Sequence, residues 1–437
     1  MKTLLITLAL MMQAPTDSLP DLSHPWTLQE CMDWALEHNL TVATQSITRE
    51  KSAVDKNTAE WSWVPDASGS VSQNWNFGRG LGDFNTYEYG NSSNTGFSLS
   101  SSMPLFDGLA TPRRIQLARL NLEAATQDLE KARDDIRVAV AKAYVQVLYN
   151  YEIEGVARRQ LQIDSLQVER LQGRFDNGKA SAADLAQQKA SQASSHLTWV
   201  QAANNVRSSL LDLAQLLDLH VWEGFHIDRP QVELEQVLLS SPDDIFADAV
   251  QIRPSIRAEE LRLEGTMRSI QIAHAQHLPS LTLSGGLNAS YYSTSTTGFL
   301  EQLSNNFSQY VGLRLNVPLF TRFSARNQLR TAKLNRVNQA IQLQRVKNNL
   351  YKEIVQAWNG AVAAQAKWES AREARAAAEA AFELQEAKYE NGKATFTEFN
   401  EARNRLVKSE SDAAQATYEY LFQTHLVEFY RGGELTL

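Results

Sequence analysis

Two hydrophobic periodicities alternate along this chain, and each of them occurs in both halves. Apolar and polar residues alternate in steps of two over about 66–77, 96–103, 280–292 and 310–317. This pattern predicts four β-strands, each with one apolar face. Steps of three and four residues dominate the segments before and after each strand pair, which predicts amphipathic helices.

The same order of elements returns after 214 residues. Met103-Pro104-Leu105-Phe106 returns as Val317-Pro318-Leu319-Phe320, and Asn177-Gly178 returns as Asn391-Gly392, both at an offset of 214. This period is far longer than the repeats of solenoid proteins. It therefore indicates two copies of one structural half, each running helix–helix–strand–strand–long helix–helix.

Between the two landmarks of each copy lies a proline-free helical pattern, residues 113–175 and 323–389. At about 1.5 Å per residue, such a helix is roughly 95–100 Å long. A helix of this length needs neighbours along its whole extent. We interpret Thr111 as the N-cap of the first long helix, with Pro112 in its first turn.

The N-terminus predicts export from the cytoplasm. Lys2 precedes the apolar run Leu4 to Met12, which is too short to span a bilayer but typical of a secretory signal. The alternative is a disordered cytosolic N-terminus. We assign residues 1–18 to a signal peptide, 19–220 to the first repeat, 221–240 to a connector and 241–437 to the second repeat.

Composition narrows the class of protein. The 437 residues have a mean hydropathy of −0.37, which argues against a helical membrane protein. The net charge of −8 argues against nucleic acid as a partner. The single cysteine, Cys31, excludes a disulfide within one chain.

The predicted strands suit a membrane better than a soluble sheet. They are about 8 to 12 residues long, enough for a tilted strand to cross a bilayer. Their polar faces carry mostly Ser, Thr and Asn, as a water-filled lumen would, although a soluble sheet with one wet face has the same alternation. Aromatic residues gather at the strand ends, as in the girdles of membrane barrels: Trp61, Trp63, Trp75, Phe77, Tyr291 and Tyr292.

Four strands per chain cannot close a barrel, and lipid does not tolerate an open strand edge. Two chains sharing one barrel would give eight tightly packed strands, and three would give twelve strands around a water-filled lumen. The polar strand faces favour twelve. We therefore predict a mixed fold, in which a trimer forms a 12-stranded membrane β-barrel that continues as a long α-helical barrel.

Several motifs together resemble the TolC-type outer membrane efflux protein family. They are the two-fold repeat, the Pro-Leu-Phe at each strand-to-helix junction, the glycine at each helix tip, and the stretches Leu213–Leu217 and Tyr430–Gly433. The junction residues are Pro104, Phe106, Pro318 and Phe320. The resemblance covers nearly all of the chain after the signal peptide.

The resemblance implies a homotrimeric channel in the outer membrane of a Gram-negative bacterium, with a long periplasmic extension. Such a channel is the passive exit duct of a tripartite efflux or type I secretion system. Its implied partners are a periplasmic adaptor, an inner-membrane pump reached through that adaptor, and outer-membrane lipid.

The resemblance also implies a docking site for the adaptor at the two Asn-Gly turns. The corresponding residues are Arg174, Phe175, Asn177, Gly178, Lys179, Lys388, Tyr389, Asn391, Gly392 and Lys393. A simpler interpretation is that each Asn-Gly pair only ends a helix, and both interpretations can hold together. Ser181 and Thr395 are expected to cap the return helices, about 182–220 and 396–430.

Three carboxylates just past these turns are candidates for a periplasmic aperture: Asp184, Glu398 and Glu401. Three copies around one axis would repel one another, raise the carboxylate pKa values and attract cations. In the family, acidic residues line this aperture. Here glutamates stand where its usual pattern has aspartates, and Ala394 stands where it has arginine, so we do not expect the family's aperture ion pairs in the same form. A solvated helix face would carry the same charges.

Two further motifs are weak. The segment Gly173 to Lys179 nearly matches a phosphate-binding loop, but Ala180 replaces the required Ser or Thr and the segment follows a helix. His274 and His277 could present two metal ligands, but such pairs are more often structural. Without a nucleophile–base set we expect no enzyme. Because the two motifs are weak, we also expect no cofactor and no metal site. The remaining alternative is a periplasmic adaptor-like protein, which would have one helical hairpin and a lipoyl-like β-domain.

Overall fold

The structure is a computed structural model that describes residues 24–81, 86–230, 234 and 236–435. The predicted signal peptide, residues 1–18, lies outside the described residues. Among the helices of the described part, none combines the length and the apolar character that a membrane crossing requires.

The two halves of the chain share one order of elements, helix–helix–strand–strand–long helix–helix, and in the described residues the second half has one additional short helix between its strands. The first half comprises α1 (Leu28–His38), α2 (Leu40–Glu60), β1 (Ser68–Leu81), β2 (Tyr87–Phe106), α3 (Ala110–Asp176) and α4 (Ala182–Leu216). The second half comprises α5 (Pro242–Ile252), α6 (Pro254–Ala275), β3 (Ser280–Tyr292), α7 (Phe299–Asn305), β4 (Ser308–Asn316), α8 (Ser324–Glu390) and α9 (Phe396–Arg431). The predicted repeat of helices and strand pairs is present, and both long helices, α3 and α8, have 67 residues.

The first strand pair is longer than the sequence predicted. The predicted strands, 66–77 and 96–103, leave residues 78–95 unpaired between them, but Gly78 pairs with Gly90 and Leu81 pairs with Tyr87. Backbone pairing continues there although the apolar–polar alternation stops, because ladder hydrogen bonds do not require apolar side chains. The second strand pair instead encloses α7, whose Phe299 ring lies 5.2 Å from the ring of Tyr291.

Within the described residues, the four strands form one antiparallel sheet in the order β1-β2-β3-β4. Residues opposite each other across the strands share a face, and the register pairs Leu281 with Leu315 and Leu283 with Leu313. One face therefore exposes large apolar side chains, including Val71, Trp75, Phe77, Leu99, Val311 and Leu313.

The other face of this sheet is polar and carries mostly small side chains. The hydroxyls of Ser68 and Ser100 lie 2.9 Å apart, and those of Ser70 and Ser98 lie 2.8 Å apart. Asn288, opposite Ser98, continues the polar face onto β3. The sheet thus has one face suited to lipid and one suited to water.

Each strand-to-helix junction contains two consecutive residues in the left-handed region. The φ angles are +70° at Gly108 and +67° at Leu109, and they are +49° at Arg322 and +62° at Phe323, at the same positions of the second repeat. A Cβ atom at Gly108 would lie 2.9 Å from the carbonyl oxygen of Ala275. Arg322 adopts the same conformation at the equivalent position, so it is the lack of space beside Ala275 that requires glycine at position 108.

The junction motifs lie at different places relative to the strand ends. β2 continues past its predicted end at residue 103, through Pro104 to Phe106, with a register shift between these two residues. In the second repeat, β4 ends at Asn316, so Pro318 and Phe320 follow the strand.

The predicted N-cap at Thr111 is wrong. α3 already begins at Ala110, so Thr111 lies inside its first turn. Asp107 Oδ2 instead accepts hydrogen bonds from the backbone N–H of Thr111 at 2.8 Å and from its hydroxyl at 2.7 Å. At the matching position of the second repeat, Thr321 Oγ1 accepts the backbone N–H of Ala325 at 3.4 Å.

By contact, the chain divides into two compact units, each with segments from both repeats. One unit contains the described residues up to Ser46, together with Leu129–Arg253 and those from Lys347 onwards. Its core includes Cys31, and the Tyr144 hydroxyl there donates to the carbonyl oxygen of Asp228 at 2.9 Å. The other unit contains residues 47–128 and 254–346, and therefore the sheet.

Candidate functional site

Both Asn-Gly pairs end a long helix in the same way. The φ angle is +73° at Gly178 and +69° at Gly392. The N–H of Gly178 donates to the carbonyl of Phe175 at 2.8 Å, and the N–H of Lys179 donates to that of Arg174 at 2.8 Å. These two bonds form a Schellman motif, which satisfies the last carbonyl groups of the helix.

The second turn repeats these bonds. The N–H of Gly392 donates to the carbonyl of Tyr389 at 3.0 Å, and the N–H of Lys393 donates to that of Lys388 at 2.8 Å. The Asn391 side chain donates to the carbonyl of Ala387 at 2.7 Å, as the Asn177 side chain does to Gly173 in the first turn, also at 2.7 Å. Each predicted turn therefore ends a helix, which is compatible with a further role in docking.

Ser181 and Thr395 cap the return helices as predicted. The Ser181 hydroxyl accepts the backbone N–H of Asp184 at 3.1 Å. Thr395 and Glu398 form a reciprocal capping box, in which the Thr395 N–H donates to Glu398 Oε2 at 2.7 Å and the Glu398 N–H donates to Thr395 Oγ1 at 3.3 Å. Two of the three candidate aperture carboxylates therefore lie in the first turn of a return helix.

The capping box changes the electrostatics of Glu398. Hydrogen bonds from the backbone and hydroxyl of Thr395 hold the pKa of Glu398 below its usual range. Within one protomer this is the opposite of the raised pKa expected for a ring of like charges. Glu401, one turn further along, lies 3.9 Å from Arg405, and both side chains are exposed.

The tips of the two helical hairpins, α3–α4 and α8–α9, are in contact within one protomer. Arg170 Nη1 lies 2.7 Å from Glu390 Oε1. A cleft of about 160 Å³ beside this pair is lined by Gln167, Arg170, Leu171, Arg174, Tyr389 and Glu390. The structure thus brings Arg174 and Tyr389, predicted from separate turns, to one cleft.

Tyr389 anchors the second turn to its own return helix. Its ring stacks on the ring of Phe399 with the centroids 4.8 Å apart. Burial raises the pKa of Tyr389, an effect that Arg174 opposes and Asp184 reinforces. The phenol therefore remains a neutral hydroxyl at physiological pH.

A buried charged centre that was not predicted joins the two hairpins. Asp164 on α3 and Arg403 on α9 form an ion pair whose side chains are 0% and 5% exposed. Asp164 also accepts hydrogen bonds from Gln188 Nε2 at 3.2 Å, from Gln160 Nε2 at 3.0 Å and from the Ser195 hydroxyl. Its carboxylate is thus surrounded by donors from three helices.

Arg403 is held from both helices of the first hairpin. Its Nη2 atom donates to the Ser191 hydroxyl on α4 at 3.0 Å. Burial lowers the pKa of Arg403, and the charge of Asp164 opposes that effect. Along the same pair of hairpins, Arg159 and Glu410 form a second, looser ion pair at 3.6 Å.

A signal for this centre is present in the sequence. Asp164 lies on the buried stripe that includes Ala157 and Leu171, and Arg403 lies one turn after the buried Phe399. A charged residue that interrupts an apolar stripe at three- and four-residue spacing indicates a buried polar contact. Its partner could not be deduced, because it lies 239 residues away.

Among the described residues, neither the Gly173–Lys179 segment nor the pair His274 and His277 belongs to a group of ligand-binding side chains. Gly173 lies inside α3, so the segment that resembles a phosphate-binding loop is a helix end. The rings of His274 and His277 lie 6.0 Å apart. In the part of the chain that the structure describes, no three His, Cys, Asp or Glu side chains group in a way that could hold a metal ion.

Comparison with known sequences gives one consistent result. The model of the outer membrane efflux protein family matches residues 32–218 and 246–426. Outer membrane protein TolC of Salmonella enteritidis is 25% identical over 375 residues, which cover 81% of this chain and 73% of that protein. Outer membrane efflux protein BepC of Brucella suis is 24% identical over 329 residues, which cover 73% of this chain and 70% of that protein.

Solved structures agree with the fold. The CmeC outer membrane channel of Campylobacter jejuni superimposes with a TM-score of 0.78 at 20% identity, covering 94% of this chain and 87% of that one. The open state of the MtrE outer membrane channel of Neisseria gonorrhoeae gives a TM-score of 0.74 at 19% identity, covering 94% of this chain and 89% of that one. The predicted fold class is thereby confirmed.

Proposed function

The chain belongs to the outer membrane efflux protein family, and on that premise we propose that three copies form the exit duct of a tripartite efflux system. The duct lies in the outer membrane of a Gram-negative bacterium and extends into the periplasm through its long helices. Members of the family are trimeric channels that work with adaptor proteins and inner-membrane pumps. Transport through this chain is passive and involves no catalytic step, so the energy comes from the pump.

The observation that carries this proposal is the sheet with two unlike faces and two edges. Its first and last strands, β1 and β4, are the edges of the sheet among the described residues. An unpaired edge in lipid leaves backbone groups without hydrogen bonds, so β1 of one copy pairs with β4 of the next. Three copies close a ring of twelve strands, with the apolar face towards lipid and the serine-rich face towards the lumen.

The adaptor-like alternative fits the chain poorly. It requires one helical hairpin joined to a lipoyl-like β-domain. Within residues 24–81, 86–230, 234 and 236–435, the chain has two hairpins, α3–α4 and α8–α9, and its four strands form a single sheet with an exposed apolar face.

We assign two roles to the hairpin ends. The turns around Gly178 and Gly392 contact the periplasmic adaptor, since they expose Lys179 and Lys393 beyond the helix ends. Asp184, Glu398 and Glu401 line the periplasmic aperture, and their threefold repetition attracts cations. The repeats, 19–220 and 241–437, supply equivalent segments to one duct wall, and the signal peptide, 1–18, directs export.

Three measurements test the function. Outer-membrane extracts should contain a trimer, purified trimers should conduct ions in planar bilayers, and the turns should crosslink to the adaptor. The double variant Lys179→Glu with Lys393→Glu should reduce crosslinking but not conductance. The control is Lys352→Glu, on the exposed surface of α8 far from its turn, which should leave both crosslinking and conductance unchanged. A soluble periplasmic monomer without conductance would refute the proposal.

The aperture is tested separately. Glu398→Ala combined with Glu401→Ala should raise the conductance or weaken the block by divalent cations. Unchanged conductance together with unchanged block would remove the aperture role from these two residues and leave the duct intact.

A further inference from the structure

The polar face of the sheet carries one charge where three or four strands lie side by side. Over residues 68–76, 92–106, 280–292 and 308–316, Arg314 is the only charged residue. Two residues before the end of β4, it lies opposite Thr282, which in turn lies opposite Pro104. This register places Arg314 on the serine-rich face.

The surroundings of Arg314 leave its guanidinium accessible. The residue is exposed, and its neighbours on the same face of β4 are Gly312 and Asn316. The hydrogen bonds and ion pairs of the described residues include no carboxylate partner for it. Arginine remains charged at any physiological pH, and its fork of N–H donors matches carboxylate and phosphate groups.

An acidic residue precedes the opposite edge strand. Asp66 lies two residues before β1, and its backbone N–H donates to the carbonyl oxygen of Ser102 at 3.0 Å. Asp66 Oδ1 already accepts the backbone N–H of Ser102 at 2.5 Å and the Ser102 hydroxyl at 2.9 Å. Asp66 Oδ1 is thus already hydrogen-bonded to β2 of its own chain. In a closed ring, however, β1 of the next copy approaches β4, so Asp66 of that copy must be included in any test.

We propose that Arg314 is an anion-binding site on the wall of the duct, where the three copies form a ring that concentrates anionic solutes over cations. The solutes it favours carry carboxylate, phosphate or sulfonate groups, and chloride is the simplest probe. The inference rests on the proposed function, since it requires the serine-rich face to line the duct. It adds a cationic ring in the barrel to the acidic aperture assigned to the helix ends.

Ion selectivity in planar bilayers tests the ring directly. With the dilute side of a KCl gradient near 0.1 M, Arg314→Gln should lower the ratio of chloride to potassium permeability about twofold or more, since a potential near kT changes local ion concentrations by such factors. Arg314→Lys should retain the ratio. Near 1 M salt, where the Debye length is about 3 Å, the variants should converge with the wild type.

Arg79→Gln is the matched control, because Arg79 is on the same sheet but on its other face. The register pairs Arg79 with Tyr89, and its guanidinium lies 5.7 Å and 5.9 Å from the ring centres of Tyr87 and Tyr89. Removing this charge should leave the selectivity unchanged. An equal loss in both variants would indicate a general effect of barrel charge and would overturn the ring.

Chemical labelling separates charge from folding. Arg314→Cys can be assembled first and then modified with a cationic or an anionic methanethiosulfonate reagent. The native Cys31 does not interfere, since it is buried and burial raises its pKa to about 12, which suppresses the reactive thiolate. The cationic reagent should restore chloride preference, and the anionic reagent should reverse it.

The outcomes distinguish the site from the duct. Wild-type selectivity in Arg314→Gln channels at low salt overturns the anion site and leaves the duct intact. Absence of conductance in wild-type trimers overturns both. If Arg314→Gln and Asp66→Asn each weaken the trimer without changing selectivity, Arg314 is an ion-pair partner between copies, and the anion site is likewise overturned.

Discussion

Removing the guanidinium of Arg403 should release the contact between the two hairpins of one protomer. In Arg403→Met the Asp164 carboxylate stays buried, with Gln160, Gln188 and Ser195 as donors but no counter-charge. Breaking one partner of a buried pair costs about 3–5 kcal/mol. At about 1.4 kcal/mol per factor of ten, local opening should increase roughly a hundredfold to several thousandfold.

Hydrogen exchange measured by mass spectrometry on native trimers reports this opening. Backbone amides of residues 160–168 and 399–407 should exchange faster by that factor, up to the limit set by local unfolding. The control is Arg170→Met, which removes the pair with Glu390 from the same two hairpins. Those side chains are 56% and 50% exposed, so the expected cost is only about 0–1 kcal/mol.

A double variant separates charge from packing. Asp164→Leu combined with Arg403→Met removes both charges, and apolar replacement of a buried pair is often neutral or stabilising. Exchange in the double variant should therefore be much slower than in Arg403→Met alone. The reasoning fails if Arg403→Met exchanges like Arg170→Met, or if the two substitutions are additive.

Three further predictions concern the helix ends. Gly178→Ala should destabilise the first tip by about 1–2 kcal/mol, because φ is +73° there. Gly173→Ala, inside α3, should instead stabilise the tip by about 0.5–1 kcal/mol. Hydrogen exchange at the tip distinguishes the two variants. The lowered pKa of Glu398 makes its capping contribution present above the unfolded pKa of about 4.3 and lost as pH falls through the lower folded value. Protection from exchange at the start of α9, taken relative to the intrinsic amide exchange rate at each pH, should therefore fall in acid, but not in Glu398→Gln. Asp107→Ala should cost about 1 kcal/mol through the lost cap of α3, measured as a lower unfolding temperature of the trimer; no change would mean that the cap is redundant.

Local patterns in the sequence were sufficient for the turns and for most helix bounds. A Schellman turn depends on residues within about two turns of helix, so Asn177-Gly178 and Asn391-Gly392 could be assigned without knowing the fold. The constant offset of 214 residues then indicated that the two halves share one order of helices and strands. The predictions of a trimer and of an outer-membrane location rest on strand length and strand polarity together with the family resemblance.

Features that depend on pairing between distant segments were assigned less well. The hairpin of β1 and β2 extends to Leu81 and Tyr87, because backbone pairing outlasts the hydrophobic alternation on which the prediction relied. The cap of α3 was placed on Thr111, a good N-cap by residue type, although the preceding left-handed residues allow Asp107 to reach its N–H instead.

Sequence alone determined the features that depend on residues close together along the chain: the two turns, the caps of the return helices, and the faces of the strands. The tertiary structure alone decided which buried charges pair with each other. Asp164 interrupts an apolar stripe in the sequence, but its partner Arg403 lies 239 residues away and is identified only where α3 and α9 meet. The reason is physical, since a hydrogen bond within a turn depends on local geometry, whereas the desolvation of a charge depends on every surface that packs around it.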